Sequence, residues 1–210
     1  FNHVVKDIEY GEYPNAKKAH LPKLCNHCEG TEKVGREKVP PCVKVCPEYP
    51  KPGRKKFKTS SGKTIRYSIG ATYKRPDGMI LYDNDLCVGC GKCIDACPYG
   101  ARYFNPNVPA GGDTSKMGIG KCTFCSHRVD KGLVPACVNT CPGKARMFGD
   151  LNDANSEVAK IVKGLMISKS VMLPDKDTKP QVFYIDPEGI LSMYKINEET
   201  KQAEFMDQIA

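Results

Sequence analysis

The sequence predicts an α+β fold of short strands, short helices and long loops, and three observations lead there. The 210 residues include 19 Gly and 16 Pro, enough turn-formers to keep each element short. Apolar residues make up 40% of the chain and aromatics 8%, with no Trp, so little apolar area offsets the entropy of ordering. Against that thin core stand 12 cysteines in three groups of four. The cysteines are the candidate staples. No stretch approaches the roughly 18–20 apolar residues of a membrane span, and nothing reads as a signal peptide. The chain opens at Phe1 rather than Met, which suggests a processed or incomplete N-terminus.

The middle group runs Cys87, Cys90, Cys93, Cys97, Pro98, or C-x2-C-x2-C-x3-C-P, the spacing of bacterial-type 4Fe–4S sites. Three thiolates on a tight, Gly-containing loop reach three corners of one cube. The fourth, expected to open the following helix, points away to a second cube. Pro98 fixes the turn after it. The first group is Cys25-x2-Cys28, thirteen residues, then Cys42-x3-Cys46-Pro47; the third is Cys122-x2-Cys125, eleven residues, then Cys137-x3-Cys141-Pro142. Both keep the opening pair and the closing C-x3-C-P and lengthen only the loop between. Residues 39–47 and 134–142 repeat one another in sequence, as do 98–104 and 142–148, which points to duplicated units.

Two other chemistries compete. Disulfides fit an even cysteine count but do not need C-x3-C-P endings. Zinc suits the third group better than the middle one. Iron–sulfide cubes account for all three, with iron as the metal these cysteines bind. The formal charge of +8 invites a nucleic-acid reading. Each cube with four thiolates carries about −2, so three nearly cancel the excess, and no nucleic-acid partner is expected.

If the closing cysteine of each unit crosses over, one cluster takes Cys25, Cys28, Cys42 and Cys97, and another takes Cys87, Cys90, Cys93 and Cys46. Each then closes a long loop as a cross-link would. For the third group, either Cys141 joins Cys122, Cys125 and Cys137, or it serves a further cluster completed by a segment before Phe1 or by a partner. The crossing rule favours the second arrangement and the cysteine count the first. The expected inventory is two clusters, a third, and a fourth if something outside this chain completes it.

His27 and His127, beside cysteines, read as hydrogen-bonding neighbours of ligands rather than ligands. Lys92, Lys121 and Arg128 lie close enough in sequence to stabilise a reduced cluster. The expected divisions are an N-terminal segment 1–24, a two-cluster unit 25–110 with an inserted basic loop 48–69, the third cysteine group 111–150, and a C-terminal extension and tail 151–210. Lys51 to Lys58 with Ser60, Ser61 and Gly62 reads as a mobile basic loop, a solvated surface or a docking patch for an acidic partner. Thr64 to Ile69 alternates like a short strand, and Tyr73 to Tyr82 reads as a hairpin turning at Pro76-Asp77-Gly78. Asp153 to Lys163 is predicted helical, capped by Asp153 or Asn155. Val171 to Leu173 and Pro180 to Ile185 are expected strands. The tail from Asp186 either wraps a partner or stays flexible. No hydroxyl, thiol or carboxylate constellation and no phosphate loop suggests substrate chemistry, so the chain itself is not expected to be a catalyst.

At these motifs the chain resembles the electron-transfer subunits of the dimethyl sulfoxide reductase superfamily, most of all the beta subunits of tetrathionate, polysulfide or thiosulfate, and arsenate reductases. The stretches that carry the resemblance are 21–28, 40–47, 70–78, 85–93, 96–104, 121–128, 148–153 and 178–185, so it spans most of residues 10–186. Two departures stand out: such subunits usually carry four cysteine groups, and about twenty extra residues lie between Pro47 and Gly70. The resemblance implies a tandem ferredoxin-like fold, 4Fe–4S clusters in a row, and a large molybdenum- or tungsten-bis-pterin catalytic subunit as partner. It also implies a membrane anchor subunit linked to quinone. From it follows a place on the extracytoplasmic (periplasmic) face of the cytoplasmic membrane, with the cytoplasm as the alternative. A free-standing polyferredoxin and a zinc-stapled binding module are the competing readings.

Overall fold

The computed structural model describes residues 4–59, 61–165, 170–196 and 203–205. Ser60 of the expected basic loop, the first three residues of the N-terminal segment and most of the tail beyond Ile196 lie outside the described residues. The fold is α+β in its simplest form: antiparallel hairpins and short helices, all but one of them a single turn, strung along loops. Among the described residues no hairpin pairs with another to make a larger sheet.

In chain order, β1 (Val4–Tyr10) pairs with β2 (Lys17–Lys23), and β3 (Glu32–Val34) with β4 (Glu37–Val39). The helix α1 (Pro41–Lys44) follows. Then β5 (Lys51–Lys58) pairs with β6 (Thr64–Ile69), and β7 (Thr72–Lys74) with β8 (Ile80–Tyr82). After α2 (Lys92–Asp95) come β9 (Tyr103–Ala110) and β10 (Asp113–Gly120). The helices α3 (Ser126–Val129), α4 (Ala136–Asn139) and α5 (Glu157–Gly164) precede a last pair, β11 (Tyr194–Ile196) and β12 (Ala203–Phe205).

The β7–β8 hairpin forms as expected. Pro76 and Asp77 occupy the turn, Gly78 takes φ +87° where a side chain would be strained, and its N–H donates to the Arg75 carbonyl at 2.9 Å. Thr72, Tyr73, Ile80 and Leu81 are all buried, so the two short strands run through the core.

The stretch expected to be a mobile basic loop is instead strand β5, in register with β6 at Phe57 and Ile65. Lys55, Lys56 and Lys58 face water, while Phe57 and Tyr67 turn towards the core. Phe57 from β5, with Tyr67 and Ile69 from β6, holds the hairpin to the core. The Arg75 guanidinium lies 5.2 Å from the centre of the Phe57 ring and pairs with Asp77 and with Asp130 just after α3. Arg75 thus ties together the β7–β8 turn, the inserted hairpin and the third cysteine group.

Helix α5 is capped by Ser156, one residue after Asn155 and three after Asp153, the two expected caps. Ser156 Oγ accepts from the Ala159 N–H at 3.4 Å, while Asp153 is engaged in a local turn with the Asn155 N–H at 2.9 Å. Val171 to Leu173 and Pro180 to Ile185 are not strands. All but Ile185 belong to an irregular strap, residues 170–184, whose apolar residues Val171, Met172 and Leu173 are buried. Its backbone bonds go to a loop rather than to a ladder: the Glu29 and Gly30 N–H groups donate to the Lys179 and Thr178 carbonyls at 2.9 Å, and the Gln181 N–H donates to the Asn26 carbonyl at 2.8 Å. The strap therefore lies along the first cysteine loop. Beyond it, Asp186 caps a short turn through the Ile190 and Leu191 N–H groups, and Glu188 meets Tyr10 and Lys17 of the β1–β2 hairpin.

The core is split in two. One apolar cluster gathers Val39, Val43, Tyr67, Tyr73, Ile80 and Ile119 around Cys46, Cys87 and Cys93. The other gathers Leu21, Tyr99, Met172, Leu173 and Leu191 around Cys25. Each core is built around sulfur.

Candidate iron–sulfur centres

The opening Cys-x-x-Cys turn of each group bends in the same way. Its third residue takes a left-handed backbone conformation: His27 at φ 44°, Gly89 at φ 70° and Phe124 at φ 51°. In the last two, that residue's N–H donates to the preceding cysteine's Sγ, from Gly89 to Cys87 and from Phe124 to Cys122, each at 3.4 Å. Glycine adopts this conformation freely; His27 and Phe124 need support. They find it in each other, stacked 3.6 Å apart with their planes 12° from parallel.

The closing C-x3-C corrects the expectation of a helix opening at the last cysteine. The single-turn helix lies between the two cysteines: α1 holds Cys42, α2 holds Cys93 and α4 holds Cys137, and Cys46, Cys97 and Cys141 follow just past each C-terminus. Helices α1 and α2 pack against one another. Gly91, at φ +73°, starts α2 so close to the Phe104 ring that a Cβ would lie 2.9 Å from it.

Because the two helices lie side by side, the units exchange their last cysteines. One cavity, about 300 Å³ counting the space at its mouth, is lined by Cys87, Cys90, Cys93 and Cys46, with Thr72, Val88 and Ile119. A second, about 350 Å³ by the same measure, is lined by Cys25, Cys28, Cys42 and Cys97, with Asn26, Tyr99, Arg102 and Thr178. Each cavity draws three cysteines from one group and one from another. All 12 cysteines are free thiols, and Cys90 alone is exposed. Burial pushes Cys28 up to about 12, and Cys97 and Cys122 up to about 11.

The third group lies beside the second cavity. Cys122 packs on the same apolar cluster as Cys25, Cys28 and Cys97, and it has Cys25 and Cys137 as electrostatic neighbours. Cys125, Cys137 and Cys141 are half-buried.

The polar residues around the second cavity say what belongs in it. Asn26 is 1% exposed, and neither its amide nitrogen nor its amide oxygen has a hydrogen-bond partner. A buried amide in that state costs about 1–3 kcal/mol, which a sulfide or thiolate acceptor would recover. Arg102, 3% exposed, donates from Nη2 to Cys42 Sγ at 3.3 Å and from Nη1 to Thr72 Oγ1 at 3.1 Å. Burial disfavours its charge, but Cys42, Cys93, Cys25 and Cys97 outweigh that and hold it raised. Lys121 is also buried; its Nζ donates to the Ile80 carbonyl and, at 2.7 Å, to the Cys122 carbonyl. Burial pushes Lys121 down, with Cys25 and Cys42 opposing. Neither cation belongs to any ion pair among the described residues. Buried cations without carboxylates call for another anion. A 4Fe–4S cube on four thiolates has the right charge, so these residues fit it.

His27 links the first and third groups. Fully buried, it accepts from the Ile80 N–H at Nδ1 (3.0 Å) and donates from Nε2 to the Cys122 carbonyl (3.1 Å). Burial, reinforced by Lys121, holds it well below the usual imidazole range, so the ring is neutral. Of the other expected neighbours, Lys92 and His127 are exposed, and Arg128 donates to the Val134 carbonyl at 2.9 Å. Sequence reasoning did not single out Asn26 or Arg102. Asn26 carried no signal. Arg102 did: it stands five residues after Cys97, as Arg146 stands after Cys141, within the repeated tails.

The model of the 4Fe-4S dicluster domain family matches residues 16–151. The chain is similar to the arsenate respiratory reductase iron-sulfur subunit ArrB of Shewanella sp. (strain ANA-3), 35% identical over 88% of this chain and 82% of that one. It is similar to a tetrathionate reductase subunit of Salmonella typhimurium, 38% identical over 79% of this chain and 51% of that one. A putative dimethyl sulfoxide reductase iron-sulfur subunit of Halobacterium salinarum is 38% identical over 87% of this chain and 63% of its own. The chain spans less than two thirds of the length of these last two relatives. The chain belongs to the 4Fe-4S dicluster family, among the iron–sulfur electron-transfer subunits of the dimethyl sulfoxide reductase superfamily.

Proposed function

We propose that this chain relays single electrons between a large molybdenum- or tungsten-bis-pterin catalytic subunit and a membrane quinone-linked or other redox partner, in a respiratory oxidoreductase acting on a sulfur compound or arsenate. It is an electron-transfer subunit, and catalysis takes place in the partner. One observation supports the reading above the rest: two neighbouring cavities, each lined by four thiols drawn from two different cysteine groups.

In this reading Cys25, Cys28, Cys42 and Cys97 hold one cluster, and Cys87, Cys90, Cys93 and Cys46 hold another. Cys122, Cys125 and Cys137 begin a third, and Cys141 serves that one or a further cluster. A bound 4Fe–4S cube supplies a one-electron carrier with little change of shape. The chain's own residues do the rest. The three left-handed turns aim thiols inward, the strap 170–184 and Tyr99 keep water from the second cavity, and Asn26 offers its N–H to whatever fills it. The tandem ferredoxin-like fold, the divisions at 24, 110 and 150, a membrane anchor subunit and an extracytoplasmic place at the membrane complete the proposal. Among the described residues no helix is long and apolar enough to cross a membrane.

Anaerobic isolation with its neighbours tests this. Iron and acid-labile sulfide in equal amounts, paramagnetic signals from interacting clusters on reduction, and co-isolation of a pterin-bearing subunit are the expected results. A colourless protein with stoichiometric zinc would overturn it. A cluster-bearing chain that never associates with a pterin subunit would favour a free-standing polyferredoxin.

A further inference from the structure

Arg102 stands between the two four-thiol cavities, and its two arms reach opposite ways. Nη2 donates to Cys42 Sγ, one of the thiols of the second cavity, at 3.3 Å. Nη1 donates to Thr72 Oγ1 at 3.1 Å, and Thr72 lines the first cavity beside Cys46, Cys87, Cys90 and Cys93. At 3% exposure it is screened by little water, and among the described residues it has no carboxylate partner. The guanidinium stays protonated at any ordinary pH and offers fixed donors in a planar fork. This buried cation therefore has an anionic neighbour on each side only when the cavities are filled.

We propose that Arg102 is a shared potential-setting residue: one fixed positive charge, held by Cys42 on one side and Thr72 on the other, that favours the electron-rich state of both clusters at once. The proposal rests on the cluster assignment given above. The step involved is the uptake of one electron by either cluster from its redox partner; no bond forms or breaks, and no proton moves at Arg102. A unit charge within a few ångströms in a poorly hydrated site weighs on both couples, because neither is separated from it by solvent. A cation screened from the clusters by solvent would leave the two couples independent of its charge.

The test is an anaerobic redox titration, followed by electron paramagnetic resonance, of the iron-loaded full chain in its complex. Arg102→Gln is expected to lower the reduction constants of two clusters together, each about tenfold, equivalent to about 59 mV for a one-electron couple. Arg102→Lys keeps the charge and is expected to hold both within about threefold of the parent protein. Lys56→Gln, on the exposed face of β5, is expected to shift neither. A shift in one cluster alone, no shift at all, or equal shifts in the Lys and Gln variants overturns the proposal. If Arg102→Gln fails to load iron, Thr72→Val decides. It frees one arm of the fork and must lower the constant of the cluster at Cys87, Cys90, Cys93 and Cys46; an unchanged value overturns the proposal. A parent protein that binds zinc or no metal brings down the cluster assignment itself. Loaded clusters indifferent to Arg102 bring down only this inference.

Discussion

His27 makes three kinds of contact, none with a cysteine sulfur. It accepts from the Ile80 N–H, donates to the Cys122 carbonyl and stacks on Phe124, and so joins the first cysteine turn to the third while holding two left-handed residues in place. Replacing it with Ala would leave the buried Ile80 N–H unpaired, leave the Cys122 carbonyl with Lys121 Nζ as its remaining donor, and remove the stack, a loss of about 2–4 kcal/mol. Denaturant unfolding of the iron-loaded chain measures it. Phe124→Leu keeps both hydrogen bonds and should cost about half as much or less. Asn26 gives the opposite lesson, because its amide has no protein partner at all. In Asn26→Leu the potential of one cluster should fall and its iron should leave faster to a chelator, as expected when a donor to the cluster is lost. Unchanged iron release and potential would mean that the amide faces something other than a cluster. The three cysteine groups were legible because spacing alone encodes them. Lys121 was legible from its place beside Cys122, although the structure engages it with carbonyls. Asn26 was not, because its role depends on which loops the fold brings together; Arg102 left a signal in the repeated tails, but its reach to Cys42 and Thr72 depends on the fold in the same way.

Among the elements, the inserted β5–β6 hairpin is held by a small set of contacts, and Arg75 is the hub of them. Arg75→Gln should strand Asp77, loosen Phe57 and release Asp130 from the β7–β8 turn. The expected loss is about 2–3 kcal/mol, below that of a fully buried pair because Asp130 is half exposed. Hydrogen exchange locates it: protection should fall in residues 55–67 and 126–134 and stay unchanged in β1–β2. Loss spread evenly over the chain would contradict this picture. Sequence patterning found β7–β8, whose turn residues dictate a hairpin, and the alternating strand β6. It missed β5, where a run of lysines masks Phe57. It missed β9–β10, where Pro106, Pro109 and a register shift hide the alternation. It read strands into the strap at 171–173 and 180–185, because apolar burial was visible but the hydrogen-bond partners were not. Those partners are loop groups of Asn26, Glu29 and Gly30, distant in sequence.

For the whole molecule, the exchange of closing cysteines matters most. The two cores are thin, each is built around thiols, and helices α1 and α2 lie together where Cys46 and Cys97 trade places. Filled cavities would close loops of some 70 and 40 residues at once, from Cys25 to Cys97 and from Cys46 to Cys87, so metal binding and folding are one equilibrium. This fixes a pattern that no arrangement of self-contained units reproduces. Cys97→Ser should remove the same cluster as Cys28→Ser, although the two residues lie in different cysteine groups, and the double variant should lose no more iron than either alone. Cys46→Ser and Cys90→Ser should form a second such pair. Combining one from each pair should remove about twice the iron, about eight atoms rather than four. Iron counting on anaerobically prepared chains, with circular dichroism to follow the fold, reads the pattern directly. If Cys97→Ser proved additive with Cys28→Ser but not with Cys90→Ser, each group would be holding its own cluster and the exchange would be wrong. The partial variants should also unfold in two steps, the core around the lost cluster first, because the remaining cluster still fastens one set of loops.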